Sequence, residues 1–438
     1  MNVRKTAWEL LCRAESENRF VNLSLTYAFD SDTSEEDKAL LAALLYGTTE
    51  KRLSLDYYIC ALSGRSGDKI EAGTKNILRL GLYQLMYMDK IPSFAAVNES
   101  VKLARNKGEA AFVNAVLRSY ERKKDTLLPP PREKNEARHL SVKYSFPIKT
   151  VKHFISEYGV GEAEQILSAF CKTPPLSLRV NTLKISRDGL LELFKENRIN
   201  AEPDRLAPNG ILLHGRAVPS SLVGFEEGFF YVQDTASQLE CEVLGAEAGD
   251  LIIDVCACPG GKSFGAAISA NDKAKIVAFD IHGSKLSLVK EGAERLGLKS
   301  IEAYEHDSRN ASEKYREKAD KVICDLPCSG LGVLAKKPDL RYRETDFDEL
   351  CALSSEIFDA SAEYVKRGGV LLFSTCTLNS RENEDALEAF LERHPDFVRE
   401  DFSAGVLKSE NGMLTLLPHI HGCDGFFIAK VRRGTFGE

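Results

Sequence analysis

The second half of the chain is built from short, mainly apolar runs, each stopped by a polar or glycine-rich turn and followed by a helical stretch. Leu251–Val255 gives way to Pro259-Gly260-Gly261, Ile276–Phe279 ends at Asp280, Lys321–Cys324 ends at Asp325, and Gly369–Phe373 ends at Ser374-Thr375-Cys376. Ser284–Leu296 and Phe347–Val365 read as helices between them. A strand that is apolar throughout must be covered on both faces, so this rhythm predicts a parallel sheet with helices on each side, a Rossmann-like α/β domain. Such sheets gather ligands at the carboxyl ends of their strands. The polar residues of this half fall at those positions.

Cys256-Ala257-Cys258-Pro259-Gly260-Gly261-Lys262-Ser263 follows the first run and opens a helix. Glycine there lets backbone approach a ligand closely, and a helix start offers free N–H donors. Asp280, at the end of the next strand, is placed to accept hydrogen bonds from ribose hydroxyls. Asp307, after the third strand in Glu305-His306-Asp307-Ser308-Arg309, is placed to read an adenine amino group. Gly261-Lys262-Ser263 is not a phosphate-binding P-loop, because that motif needs glycine five residues before Gly261 and position 256 is Cys. The Gly-x-Gly-x-x-Gly of hydride-transfer enzymes is absent too, so the loop suits a nucleoside ligand without phosphates.

Asp325-Leu326-Pro327-Cys328-Ser329-Gly330 and Ser374-Thr375-Cys376-Thr377 end neighbouring strands, which brings two thiols and a carboxylate to one place, near Cys256, Cys258 and Cys324. No C-x₂-C spacing supports a zinc cluster, so no metal is expected. A thiolate there needs a lowered pKa, which a helix start after Cys376 or the nearby Lys262 can supply. Cys12, Cys60, Cys171, Cys241 and Cys351 read as small buried hydrophobes.

Upstream, residues 1–125 read as a helical bundle: Thr74–Tyr87 places Ile77, Leu80, Leu82, Leu85 and Met86 on overlapping faces, and Ala95–Arg105 and Glu109–Tyr120 continue the pattern. Leu127-Leu128-Pro129-Pro130-Pro131 cannot continue a helix and marks a linker. Strands at Leu176–Val180, Ile211–Leu213 and Phe229–Val232, with a helix at Asp188–Glu196, suggest a small α+β module. The expected division is 1–128, 129–235 and 236–438. The net charge of −7 argues against a polyanionic partner. However, residues 101–184 carry twice as many Lys and Arg as Asp and Glu, including Lys102, Arg105, Arg118, Arg132 and Arg138, and would suit one. Eleven cysteines, an odd number, in a chain whose first residues alternate charge rather than form a signal peptide, predict free thiols and a cytoplasmic setting. No apolar stretch is long enough for a membrane span. With no long exposed apolar stripe, a monomer is expected.

CACPGGKS, DLPCSGLGV and STCTLNSRENE resemble the cofactor loop and the two cysteine motifs of the RNA cytosine-5 methyltransferase family, and Pro418–Phe427 resembles its C-terminal signature. RLGLYQLMYMDKIPSFAAVNESVKLAR and FVNAVLR are similar to a NusB-like RNA-binding domain. Together they resemble the bacterial RsmB (Sun/Fmu) branch. The resemblance implies an all-α NusB-like bundle, a small α+β module and a class I methyltransferase domain. It also implies S-adenosyl-L-methionine as cofactor and a cytosine of 16S rRNA, naked or in an early small-subunit precursor, as substrate. By the same resemblance Cys376 is the nucleophile and Cys328 assists product release. Cys256, Ala257, Cys258, Pro259, Gly260, Gly261, Lys262, Asp280, Asp307 and Asp325 would line the cofactor site, Asp325 also acting on the base. Cys258 stands where the family commonly has alanine. Two other readings are a non-catalytic RNA-binding factor with a vestigial sheet domain, and a DNA cytosine methyltransferase using Cys328.

Overall fold

The computed structural model describes residues 2–17, 33–215 and 217–435. It divides into two compact units, Met1–Cys171 with Lys337–Arg343, and Lys172–Lys336 with Glu344–Glu438. Among the described residues no helix is long and apolar enough to cross a membrane.

The first unit is helical. Its helix Ala72–Tyr87 is the most enclosed, with Ile77, Leu78, Leu80 and Leu82 fully buried as its periodicity predicts. Arg79 on the same helix is buried as well, and is tolerated because Asp56 accepts from Nε and Nη2 at 2.6 and 2.7 Å and Glu15 from Nη1 at 2.7 Å. Helix starts carry the expected caps: Ser34, Asn106 and Asn135 each accept a backbone N–H from the first turn. Arg105 is paired with Glu71 and Glu109, and Arg132 with Glu136 and Glu164.

The two units meet at 171/172, so the helices that follow the proline run pack with the first unit. The physical reason lies in the helices Glu136–Tyr144 and Ile148–Ala169, which the sequence assigns to the α+β module. At their junction Ser145 Oγ accepts from Leu53 N at 3.0 Å, and Ser54 Oγ donates to Val142 O at 2.5 Å. The turn Pro338–Tyr342 also belongs here: buried Arg341 stacks 4.1 Å from the Phe146 ring and donates to Phe170 O at 2.8 Å. Nothing in the local sequence signals that a segment from so late in the chain completes the helical unit.

The second unit holds two main sheets. Leu176–Val180 (β1), Ala201–Pro203 (β2), Gly210–Leu213 (β3) and Phe230–Val232 (β4) form an antiparallel sheet of order β2-β3-β1-β4 covered by the helix Arg187–Glu196. The larger sheet contains Leu251–Asp254 (β5), Lys275–Asp280 (β6), Ile301–Glu305 (β7), Ala319–Asp325 (β8) and Val365–Thr375 (β9), all parallel, in the order β9-β8-β5-β6-β7. Phe397–Arg399 (β10), Met413–Leu416 (β13) and Phe426–Arg433 (β14) extend it with antiparallel pairings, beyond the purely parallel sheet expected. A two-residue ladder, Ser403–Ala404 (β11) with Leu407–Lys408 (β12), lies apart.

Alternation along the strands builds the two cores. Ile252, Ile276, Ala278, Ile323 and Leu372 pack on one face, and Ile253, Val277, Val322, Leu371 and Phe373 on the other. All are buried, each large one contributing about 1.5–3 kcal/mol of transfer free energy. The chain runs outward from β5 to β7, then returns to β8 on the other side of β5. This reversal opens a crevice at the carboxyl ends of β5 and β8.

Candidate active site

The cofactor-loop motif and the two cysteine motifs named from the sequence reach this crevice or the loop beside it. Between β5 and the helix Gly261–Ser269, the chain turns through a cis Cys258–Pro259 bond, and Gly260 adopts φ +111°. A Cβ on Gly260 would stand 2.4 Å from the Phe264 ring, so glycine is required both for conformation and for space. The loop is pinned to β6 by Ala257 N donating to Phe279 O at 2.8 Å, and by Cys258 N donating to Asp280 Oδ2 at 3.2 Å. Asp280 Oδ1 accepts from His282 N at 2.8 Å. Both Asp280 oxygens are thereby fixed by backbone, with lone pairs left for a ligand.

Cys256, Cys258, Asp280, Asp307, Asp325, Cys328 and Cys376 line one cleft of about 850 Å³. Ala257, Pro259, Gly261 and Lys262 instead border a second cavity of about 190 Å³, which shares Cys256, Cys258 and Asp325 with the first. Gly260 lines neither and serves the turn. Asp307 is held by a forked pair with Arg309, at 3.0 Å from Nε and 2.6 Å from Nη2. Its pairing with Arg309 holds its carboxyl below the ordinary range.

At the other end of the cleft, the Cys328 and Cys376 sulfurs are 3.3 Å apart. The Cys376 bond and burial push the Cys328 thiol well up. Cys256 is raised by burial, and Cys258 is pushed up to about 12 by burial and by Asp280, so both stay protonated. Cys324 turns away, toward Ser361 Oγ at 3.4 Å beneath the sheet. The helix start expected directly after Cys376 is not there: a single turn, Ser380–Glu382, precedes the helix Glu384–Arg393. Of the five cysteines expected to be buried, only Cys241 is, the others being half-buried.

Lys262 answers two carboxylates, forming an ion pair with Asp325 Oδ2 and lying 3.3 Å from Glu240 Oε2. Burial works against its ammonium, but Asp325 and Glu240 outweigh burial and hold its pKa well above the ordinary lysine range. Lys262 is therefore a fixed cation beside Asp325.

Two residues of this site have no role assigned from the sequence, although one of them, Glu382, lies within STCTLNSRENE. Glu240, from the helix Thr235–Leu244, is fully enclosed and accepts from Ser374 Oγ at 2.7 Å. Its sequence signal is a carboxylate on a helix whose other residues Ala236, Leu239, Val243 and Leu244 are core. Glu382 ties the two cysteine loops together: Ser329 N and Oγ donate to its two oxygens at 2.6 Å each, and Asn379 Nδ2 donates at 2.8 Å. Gly332 N adds a bond to Cys376 O at 2.9 Å.

The chain is similar to known proteins along nearly its whole length. The family described as 16S rRNA methyltransferase RsmB/F matches residues 241–432, the NusB family matches 1–122, and an RsmF/B-like ferredoxin-like domain matches 146–219. A Bacillus subtilis protein named probable ribosomal RNA small subunit methyltransferase B is 35% identical, with 99% of each chain covered. A Yersinia pseudotuberculosis protein named ribosomal RNA small subunit methyltransferase B is 34% identical over 91% of each. Among solved structures, that of PH0851 is 25% identical with a TM-score of 0.79, covering 98% of this chain and 99% of that one.

Proposed function

This chain belongs to the 16S rRNA methyltransferase RsmB/F family, and from that premise we propose that it methylates carbon 5 of a cytosine in 16S rRNA through a covalent adduct on Cys376. The observation that carries the reading is the cleft in which two thiols 3.3 Å apart and Asp325 share one space with Asp280 and Asp307.

S-adenosyl-L-methionine fits that cleft by donor chemistry. Asp280, fixed at the end of β6, suits a pair of ribose hydroxyls, Asp307 suits an adenine amino group, and Cys256 and Cys258 line the same cleft. When bound, the cofactor supplies an electrophilic methyl group.

The protein's task is to make a poor nucleophile reactive. Cytosine carbon 5 carries little negative charge until a nucleophile adds to carbon 6. The Cys376 thiolate forms that sulfur–carbon bond while a proton from Asp325 goes to N3, leaving carbon 5 enamine-like. Lys262 holds Asp325 against the rim of the cleft. After methyl transfer the carbon 5 proton passes to water, its bond pair re-forming the carbon 5–carbon 6 double bond as the Cys376 sulfur leaves with the sulfur–carbon pair, and N3 gives its proton back to Asp325. Cys328 is placed to assist that release. A base in a helix cannot reach two half-buried thiols inside a cleft, so the target cytosine is unpaired or flipped out of its stack.

The test is methyl transfer from labelled cofactor to small-subunit rRNA lacking the modification. Label recovered as 5-methylcytosine with wild type, and none with Cys376→Ser, is expected. Wild-type turnover by Cys376→Ser overturns the nucleophile assignment.

A further inference from the structure

Glu240, Ser374, Asp325 and Lys262 close a ring beneath the reaction site. Glu240 Oε1 and Ser374 Oγ stand 2.7 Å apart, and Ser374 Oγ lies 3.4 Å from Asp325 Oδ1. On the other side Lys262 pairs with Asp325 Oδ2 and stands 3.3 Å from Glu240 Oε2, an ionic contact without hydrogen-bond alignment. Glu240 and Ser374 are enclosed and Asp325 reaches the cleft, so Glu240 meets substrate only through its neighbours.

We propose that Glu240 is a positioning residue that stores the proton Asp325 delivers to the cytosine, passing it through the Ser374 hydroxyl. The inference rests on the cytosine reading above. The ring contains one ammonium and two carboxyl groups, so a single proton shared by the carboxyls makes it neutral. An enclosed site strongly favours that neutral state over one with an uncompensated charge. Asp325 pairs directly with Lys262, and the stored proton rests on the fully enclosed Glu240. Burial and the Asp325 charge raise the Glu240 carboxyl to about 8, against the pull of Lys262. The other ionisable groups around the ring are Cys241 on the Glu240 helix and Cys324 on β8, both raised by burial and neutral, and Asp254 on β5, whose carboxyl burial raises to about 6 and which accepts from Ser263 Oγ at 2.7 Å.

The transfer balances. Glu240 gives its proton to Ser374 Oγ as the Ser374 hydroxyl gives its own to Asp325 Oδ1. Glu240 becomes a carboxylate, Asp325 a carboxylic acid, and Ser374 is unchanged. Asp325 then donates to N3 as Cys376 adds to carbon 6. When the ring re-forms, N3 returns the proton along the same path. Neither Glu240 nor Ser374 forms a bond to substrate.

The test is the pH dependence of labelled methyl transfer at saturating substrates for wild type, Glu240→Gln and Ser374→Ala. Glutamine keeps the shape of Glu240 but has no proton to give, and alanine removes the link while leaving both carboxyls. Wild type should hold its rate up to about pH 8, where Glu240 loses its proton. Both variants should begin their alkaline decline at least a unit lower, leaving them roughly tenfold slower near that pH, with the deficit shrinking toward acid. A uniform slowing at all pH values, or a wild-type alkaline limb in Ser374→Ala, overturns the relay. If Glu240→Gln fails to fold, Ser374→Ala carries the test. Analysis of the wild-type product separates this claim from the one beneath it: a methylated base other than 5-methylcytosine would sink the reaction assignment itself.

Discussion

The carboxyl edge of the large sheet has two halves that are held in different ways. On the β5–β7 side, Asp280 and the Cys256–Gly261 loop are fixed chiefly by backbone N–H groups of near neighbours, with one side-chain bond from Tyr231 Oη to Gly261 O at 3.1 Å. On the β8–β9 side, the reactive groups are held by side chains from distant parts of the unit: Lys262 and Glu240 beneath Asp325, and Glu382 between the Cys328 and Cys376 loops. Backbone anchoring gives a cradle whose parts act almost independently. A side-chain network gives parts that fail together. The first suits reversible binding of a small molecule, and the second suits chemistry that needs thiols and an acid aligned at once.

The comparison breaks most visibly at Asp325. Asp325→Asn removes the acid but keeps its shape, and turnover should fall on the order of 10²–10⁴-fold with cofactor affinity little changed. A matched loss of cofactor affinity, measured by calorimetric titration, would place Asp325 in the cradle instead. Next comes Glu382→Ala, which leaves the Ser329 and Asn379 donors without their shared acceptor. It should lower unfolding free energy by about 2–3 kcal/mol and kcat by up to about 10²-fold through misplaced thiols. Denaturant unfolding and steady-state rates read the two effects. If the network idea holds, Glu382→Ala combined with Cys328→Ser costs less than the sum of the single changes.

The cradle side should answer differently. Asp280→Ala should raise the KM for S-adenosyl-L-methionine roughly 10–100-fold, the worth of hydrogen bonds to a charged group, while kcat is nearly retained. Asp307→Ala is the mildest, about two- to tenfold in KM, because its carboxylate already shares its lone pairs with Arg309. A kcat collapse in either would erase the distinction between the halves.

The same division separates what is legible in the amino-acid sequence from what is not. The strand ends at Asp280, Asp325 and Cys376 are legible because apolar runs stop at polar residues, a local and periodic signal. Gly260 is legible because a tight turn after a strand demands it. Glu240 is not, since a lone carboxylate in a helix normally faces water, and only the packing of that helix shows that it faces Lys262 and Ser374. Glu382 lies inside a recognisable motif, yet its partner Ser329 sits 53 residues away, beyond any local rule. The helical unit teaches the same point. Its core helix Ala72–Tyr87 follows from periodicity, whereas the inclusion of Lys337–Arg343 depends on Arg341 finding Phe146 and Phe170. The antiparallel strand β14 escapes a local reading because Phe426–Arg433 mixes apolar and charged residues, and its place beside β9 is decided by pairing rather than composition.

The central claim is that Cys376 bonds to the substrate and Cys328 helps it leave. It is tested most directly by incubating Cys328→Ser with S-adenosyl-L-methionine and unmodified 16S rRNA, then running a denaturing gel. The account predicts an RNA–protein adduct that persists through denaturation and disappears when Cys376→Ser is added to the same chain. An adduct that survives without Cys376, or one that forms only when Cys328 is present, would contradict it.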